Sequence, residues 1–105
     1  MVRVTHPAPT KADATCVFET AHAQLTIEVA TGAHSSLLKR CGADRSAVSA
    51  IGNEAVECRA GGEEVVVGRV RDRGFSVRLR SAEMSKGVLR NKALHAAEQV
   101  AGILF

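Results

Sequence analysis

The stretch that decides the fold is Glu64-Val65-Val66-Val67-Gly68-Arg69-Val70-Arg71-Asp72-Arg73-Gly74-Phe75-Ser76-Val77-Arg78-Leu79-Arg80. Its second half alternates strictly. Phe75, Val77 and Leu79 fall to one side and Ser76, Arg78 and Arg80 to the other, the period of a half-buried strand. Asp72-Arg73-Gly74 supplies a tight turn, so residues 64–71 and 75–80 read as a β-hairpin. Paired across that turn, Val66, Gly68 and Val70 join the inward face.

Toward the C-terminus, Leu89, Ala93, Ala96, Ala97, Val100 and Ile103 or Leu104 recur at spacings of three and four. That is an amphipathic helix, capped by Ser81 or Ser85 and small enough on one face to lie close on a sheet. Toward the N-terminus, a strand over 54–59 sends Val56 and Cys58 one way and Ala55, Glu57 and Arg59 the other. It turns back at Gly61-Gly62. Leu25, Ile27 and Val29 alternate with Thr26 and Glu28, a further strand. Before it, Cys16 and Phe18 share one face and Val17 and Glu19 the other, with Ala21–Gln24 as the connection. Ser35 or Ser36 can cap a short helix through Leu37, Leu38 and Cys41, stopped by Gly42. Residues 43–53 read as a loop, and residues 1–13, with both prolines, as an extended lead-in.

The expected fold is therefore α+β. A twisted antiparallel sheet of about five strands carries the C-terminal helix on one face, with a short helix after the second strand. Residues 14–105 form a single domain, since 105 residues support one modest core. Apolar residues make up 46% and charged residues 24%, a globular balance that argues against disorder.

The same composition excludes several functions. Three Phe, no Trp and no Tyr leave few flat rings for stacking bases or sugars. A net charge of +3 is too small for a nucleic-acid footprint and argues against that partner. No apolar run is long enough to span a membrane. Met1–Thr10 lacks the apolar stretch of a signal peptide. Complete as written, the chain would stay in the cytoplasm; as a fragment of a signal-bearing parent, it would belong to the periplasm or cell envelope.

Candidate chemistry is sparse. Arg69, Arg71, Arg78 and Arg80 fall on the outer face of the hairpin, with Arg73 in its turn. Four guanidinium groups there suit an anion such as phosphate or carboxylate. Outward Glu19, Glu28 and Glu57 are equally placed to absorb that charge as cross-strand ion pairs. Three cysteines, Cys16, Cys41 and Cys58, allow three pairings and leave one thiol over. Cys16 and Cys58 share the inward faces of their strands, which suits a cross-sheet disulfide or two buried thiols, and leaves Cys41 as the more exposed one. His6, His22, His34 and His95 lack ligand spacing. Ser36-Leu37-Leu38-Lys39 matches S-x-x-K without its companion motifs. No glycine pattern cradles a phosphate, so no catalytic residue, metal or cofactor is assigned.

Ile51-Gly52-Asn53-Glu54-Ala55-Val56-Glu57-Cys58, Gly68–Phe75, Leu89-Arg90-Asn91-Lys92-Ala93 and Ala97-Glu98-Gln99-Val100-Ala101 together resemble small exported bacterial lipoprotein-type domains of unknown function. Cys16-Val17-Phe18 is similar to the Cys-x-aromatic start of their early strand. The resemblance implies a non-enzymatic binding or interaction domain of an exported protein. Those domains usually open with a signal peptide and a cysteine-bearing helix. This sequence has at most Thr10–Asp13 in that place, which leaves a sheet face without a cover. Uncovered apolar sheet surface implies a homodimer. The alternative expectation is an anion or nucleic-acid binding module on the arginine hairpin.

Overall fold

The structure, a computed structural model, describes residues 2–5, 14–31, 41 and 45–105. Seven strands form one sheet: β1 (Val2–Thr5), β2 (Ala14–Glu19), β3 (Ala23–Thr31), β4 (Arg45–Val48), β5 (Glu54–Ala60), β6 (Glu63–Val70) and β7 (Arg73–Ser81). Helix α1 (Lys86–Leu104) follows. The spatial order is β1-β2-β3-β7-β6-β5-β4, with every neighbouring pair antiparallel.

The α+β class holds, and the five expected strands are all present. Two short edge strands are added. β1 lies inside the stretch read as a lead-in, and β4 inside the stretch read as a loop. Each is four residues long, too short for alternation to register. What makes them strands is the ladder that a longer neighbour offers, β2 for one and β5 for the other. Among the described residues α1 is the sole helix. The short helix expected after the second strand falls on residues outside the described ones, except for Cys41.

The β6–β7 hairpin turns one residue earlier than expected, at Arg71-Asp72. Val70 pairs with Arg73, and Arg71 takes a positive φ of 56°. The β2–β3 turn has no Gly or Asn-Gly signal because a threonine supplies the geometry. Thr20 Oγ1 accepts from the amides of His22 (3.3 Å) and Ala23 (3.0 Å), while its own N–H donates to the Ala23 carbonyl at 2.9 Å. At the start of α1, Ser85 accepts from Val88 N at 3.3 Å and is the N-cap. Ser81 instead accepts from Glu83 N at 3.1 Å, in the segment leading to the helix.

α1 packs against β6 and β7 through Leu89, Ala93, Ala97, Val100 and Ala101. Ile103 is exposed, so Leu104 completes that stripe. Beneath the helix lie Val66, Val70, Phe75 and Val77, all fully buried, with Leu79, Ala55 and Ile51. Each of the larger aliphatic side chains contributes about 1.5–3 kcal/mol by leaving water.

The opposite face of the sheet has its own apolar cluster: Ala30, Cys41, Cys58, Val65 and Val67. β6 is thus buried on both faces, which explains the run Val65-Val66-Val67. Cys41 and Cys58 form a disulfide here, with Cα atoms 5.6 Å apart, and Cys16 is the free thiol. The Cys16–Cys58 pairing is therefore not formed, and Cys41 is buried instead of exposed. The register gives the reason. Cys16 pairs with Ile27, then Val77, then Val66, then Glu57, so these five share the helix side. Cys58 pairs with Val65 and lies on the other side, four strand spacings away, or about 19 Å. β5 is accordingly turned over relative to the expectation. Ala55, Glu57 and Arg59 face α1, while Val56 and Cys58 face away.

Candidate functional site

The four hairpin arginines do not converge. Arg69 is at the turn end of β6, where Nε donates to Glu54 Oε1 at 3.2 Å and Nη1 to the Arg71 carbonyl at 2.5 Å. Arg71 is in the turn itself, so its side chain is not part of the outer strand face. Its N–H donates to Asn53 Oδ1 at 2.6 Å. Arg78 lies mid-sheet between Glu28 (3.6 Å) and Glu63 (3.9 Å), and Ser76 Oγ donates to the same Glu28 oxygen at 3.0 Å. These ion pairs absorb the charge of Arg69 and Arg78. Glu57 has no part in this, because it sits on the helix side.

Arg80 differs. Its Nε donates to the neutral Gln24 Oε1 at 3.1 Å, and it opens onto a shallow recess of about 550 Å³ at one end of the sheet. Glu19, Thr20, His22, Gln24 and Ser81 line the recess beside it. His22 Nδ1 and Glu83 Oε1 stand 3.1 Å apart there, both largely exposed. His95 is on the outer face of α1 against Gln99. Among the described residues no three His, Cys, Asp or Glu side chains gather as metal ligands would. Nor is any described helix long and apolar enough to cross a membrane.

The helix side holds a polar cluster that the alternation pattern concealed. Glu57 on β5 and Glu64 on β6 are diagonal neighbours, because Glu57 pairs with Val66 and Glu64 with Arg59. Both are buried. Arg59 Nη1 donates to Glu64 Oε1 at 2.6 Å, and Arg90 of α1 donates from Nε to Glu57 Oε1 at 3.3 Å. Glu64 Oε2 is buried with no donor. Burial pushes the Glu57 carboxyl above its ordinary range, the neighbouring Glu64 carboxyl pushes it further, and Arg90 pulls part of the way back. The sequence signal available for this cluster was Glu57 lying seven residues before Glu64 across a Gly-Gly turn, which puts both on one face only once the register is known.

α1 is about 10 Å across and the sheet spans seven strands, so among the described residues this single helix covers only part of the face. On the β4–β5 flank the open part is polar, with Ser46 and Arg59 exposed beside the buried Glu57. On the β2–β3 flank it is apolar: Cys16, Phe18, Leu25, Ile27 and Val29 are all partly exposed, Phe18 by 38%. No charged residue of β2 or β3 is on this side; Glu19 and Glu28 are on the other.

Comparison with known proteins gives no match: no family model, curated protein or solved structure is similar to this chain.

Proposed function

We propose that this chain is a non-enzymatic interaction domain of an exported bacterial protein, and that its partner is a second copy of itself seated on the helix side of β2 and β3. The observation that carries the reading is the partial cover of the helix side, with Cys16, Phe18, Leu25, Ile27 and Val29 left partly open beside α1. The surface is uncharged, so two copies meet without like-charge repulsion. It is also confined to one flank, and a single self-complementary patch closes at two copies instead of growing into a filament. The buried Cys41–Cys58 disulfide supports an oxidising compartment, in keeping with export.

Sedimentation velocity over a concentration series tests the proposal. The native protein is expected to move from monomer to dimer as concentration rises. Phe18→Ser, a change at a side chain already 38% exposed, should hold it monomeric with its circular dichroism intact. A native protein that stays monomeric throughout would sink the idea.

A second reading, an anion site, has one residue in its favour. Arg80 pairs with a neutral amide and opens onto the recess, whereas Arg69 and Arg78, which do not line it, are ion-paired. It requires salt-sensitive binding of inorganic phosphate that is lost in Arg80→Gln.

A further inference from the structure

We infer that Glu57 and Glu64 are a proton-binding pair that fastens α1 to the sheet, one carboxyl donating to the otherwise orphaned oxygen of the other. Two observations meet at this point. Glu64 Oε2 is buried with no donor, although each neighbouring cation already serves another oxygen, Arg59 at Glu64 Oε1 and Arg90 at Glu57 Oε1. Glu57 is the buried diagonal neighbour of Glu64 on the same face of the sheet, and a proton shared between the two carboxyls would supply the missing bond. Two ionised carboxylates in that position would instead set lone pairs against lone pairs in a buried site, an arrangement carboxylate pairs avoid by holding one proton between them.

Among the described residues few charged groups face the pair. Arg59 comes from β5 and Arg90 from α1. β4 contributes the uncharged Ser46 opposite Glu57, and Val66 is the β6 residue opposite it. Lys86, one helical turn before Arg90, is exposed. A divalent cation is a poor occupant, since both arginines would have to leave. A proton fits the gap without moving either.

The consequence is a pH-sensitive fastening. Arg90 holds α1 to β5 through Glu57, so the protonation of the pair bears on the helix that covers the core. Glu57 titrates in the folded protein above its ordinary value of 4.5, and the folded state therefore binds more protons than the unfolded chain in the interval between. The stabilisation is complete below pH 4.5. It is lost as pH rises through the raised value, when the proton leaves for bulk water and the two charges face each other.

The experiment is an infrared titration of the folded native protein, followed by unfolding in urea across the same pH range. One protonated-carboxyl band should persist after the exposed glutamates have ionised. Glu57→Gln should abolish it, because its amide N–H replaces the shared proton at Glu64 while its carbonyl still accepts from Arg90. The same variant should lose the fall in unfolding midpoint on the alkaline side. Arg90→Gln removes the cation that opposes protonation, and should move the band's disappearance to higher pH. Absence of the band from the native protein overturns the inference, a result that does not depend on any variant folding. So does a Glu57→Gln protein with the native pH slope.

Discussion

Phe75 occupies the space that a side chain at Gly68 would need. The two residues are cross-strand partners on β7 and β6, and a Cβ on Gly68 would fall 2.5 Å from Phe75 Cζ and 2.7 Å from Cε1. The ring is fully buried under α1, so it has nowhere cheap to go. Gly68→Ala should therefore destabilise the fold by about 1–3 kcal/mol, even though alanine is otherwise the better strand residue. Combining it with Phe75→Leu should recover part of that loss. Denaturant melts of the two singles and the double would show the coupling, and strictly additive losses would contradict the packing argument.

A second close approach fixes the turn at the same end of the hairpin. Gly52 has a φ of 62°, and a Cβ there would lie 2.6 Å from the Arg69 carbonyl oxygen. The next residue completes the contact, with Asn53 N donating to that same carbonyl at 2.8 Å and Asn53 Oδ1 accepting from Arg71 N at 2.6 Å. Gly52→Ala meets both a left-handed backbone and a backbone atom, and should cost about 2 kcal/mol or more. Asn53→Ala removes one exposed hydrogen bond that water can replace, and should cost about 0.5–1.5 kcal/mol. Urea midpoints that reverse this order would show that the β4–β5 connection does not hold the turn.

Reducing the Cys41–Cys58 disulfide should lower stability by about 3 kcal/mol, the loop-closure value for a bridge spanning 17 residues. A thiol count on the unfolded, unreduced protein gives an independent check: one reactive thiol, Cys16, rising to three after reduction. Peptide mapping that joined Cys16 to Cys58 would require β2 and β5 to be neighbours on one face, contrary to the register.

The arginines should separate by what surrounds them. Arg78 is half-buried between Glu28 and Glu63, so Arg78→Gln leaves buried carboxylate charge less well opposed. It should cost about 1–3 kcal/mol, between the surface and buried limits. Arg80→Gln replaces an exposed hydrogen bond to Gln24 and should change stability by less than about 0.5 kcal/mol. Thermal melts of the two variants decide the matter. Equal losses would mean that the outer face is a uniform solvated array.

Residues 75–80 and 89–101 could be read from the sequence because each sets apolar residues on one face and polar ones on the other, so period alone reveals the element even where, as at Ser76, the polar residue is buried. β5 defeated the same logic. Ala55 and Cys58 are buried on opposite faces, so alternation shows a strand without saying which side meets the helix. The cysteine pairing and the inward position of Glu57 were lost with that choice. β1 and β4 were hidden for another reason, since four residues at an edge owe their structure to a neighbour and not to their own pattern. The absorbed arginine charge depends on distant partners too, with Arg78 meeting a glutamate fifty residues earlier in the chain.

Cys16 offers a probe of the proposed dimer that leaves the sequence unchanged. It is the free thiol, partly exposed, on the helix side of β2 within the open apolar surface and two residues from Phe18. If a second copy covers that surface, alkylation of Cys16 in the folded protein should slow as protein concentration rises through the dimerisation range. The reaction should stay fast at every concentration in Phe18→Ser. The disulfide keeps the other two cysteines silent, so a single labelling rate reports on this face alone. A rate that is independent of concentration while sedimentation shows a dimer would place the interface elsewhere on the molecule. The β1 edge, where the described sheet ends, would then be the surface to examine, since a strand edge pairs readily with another strand.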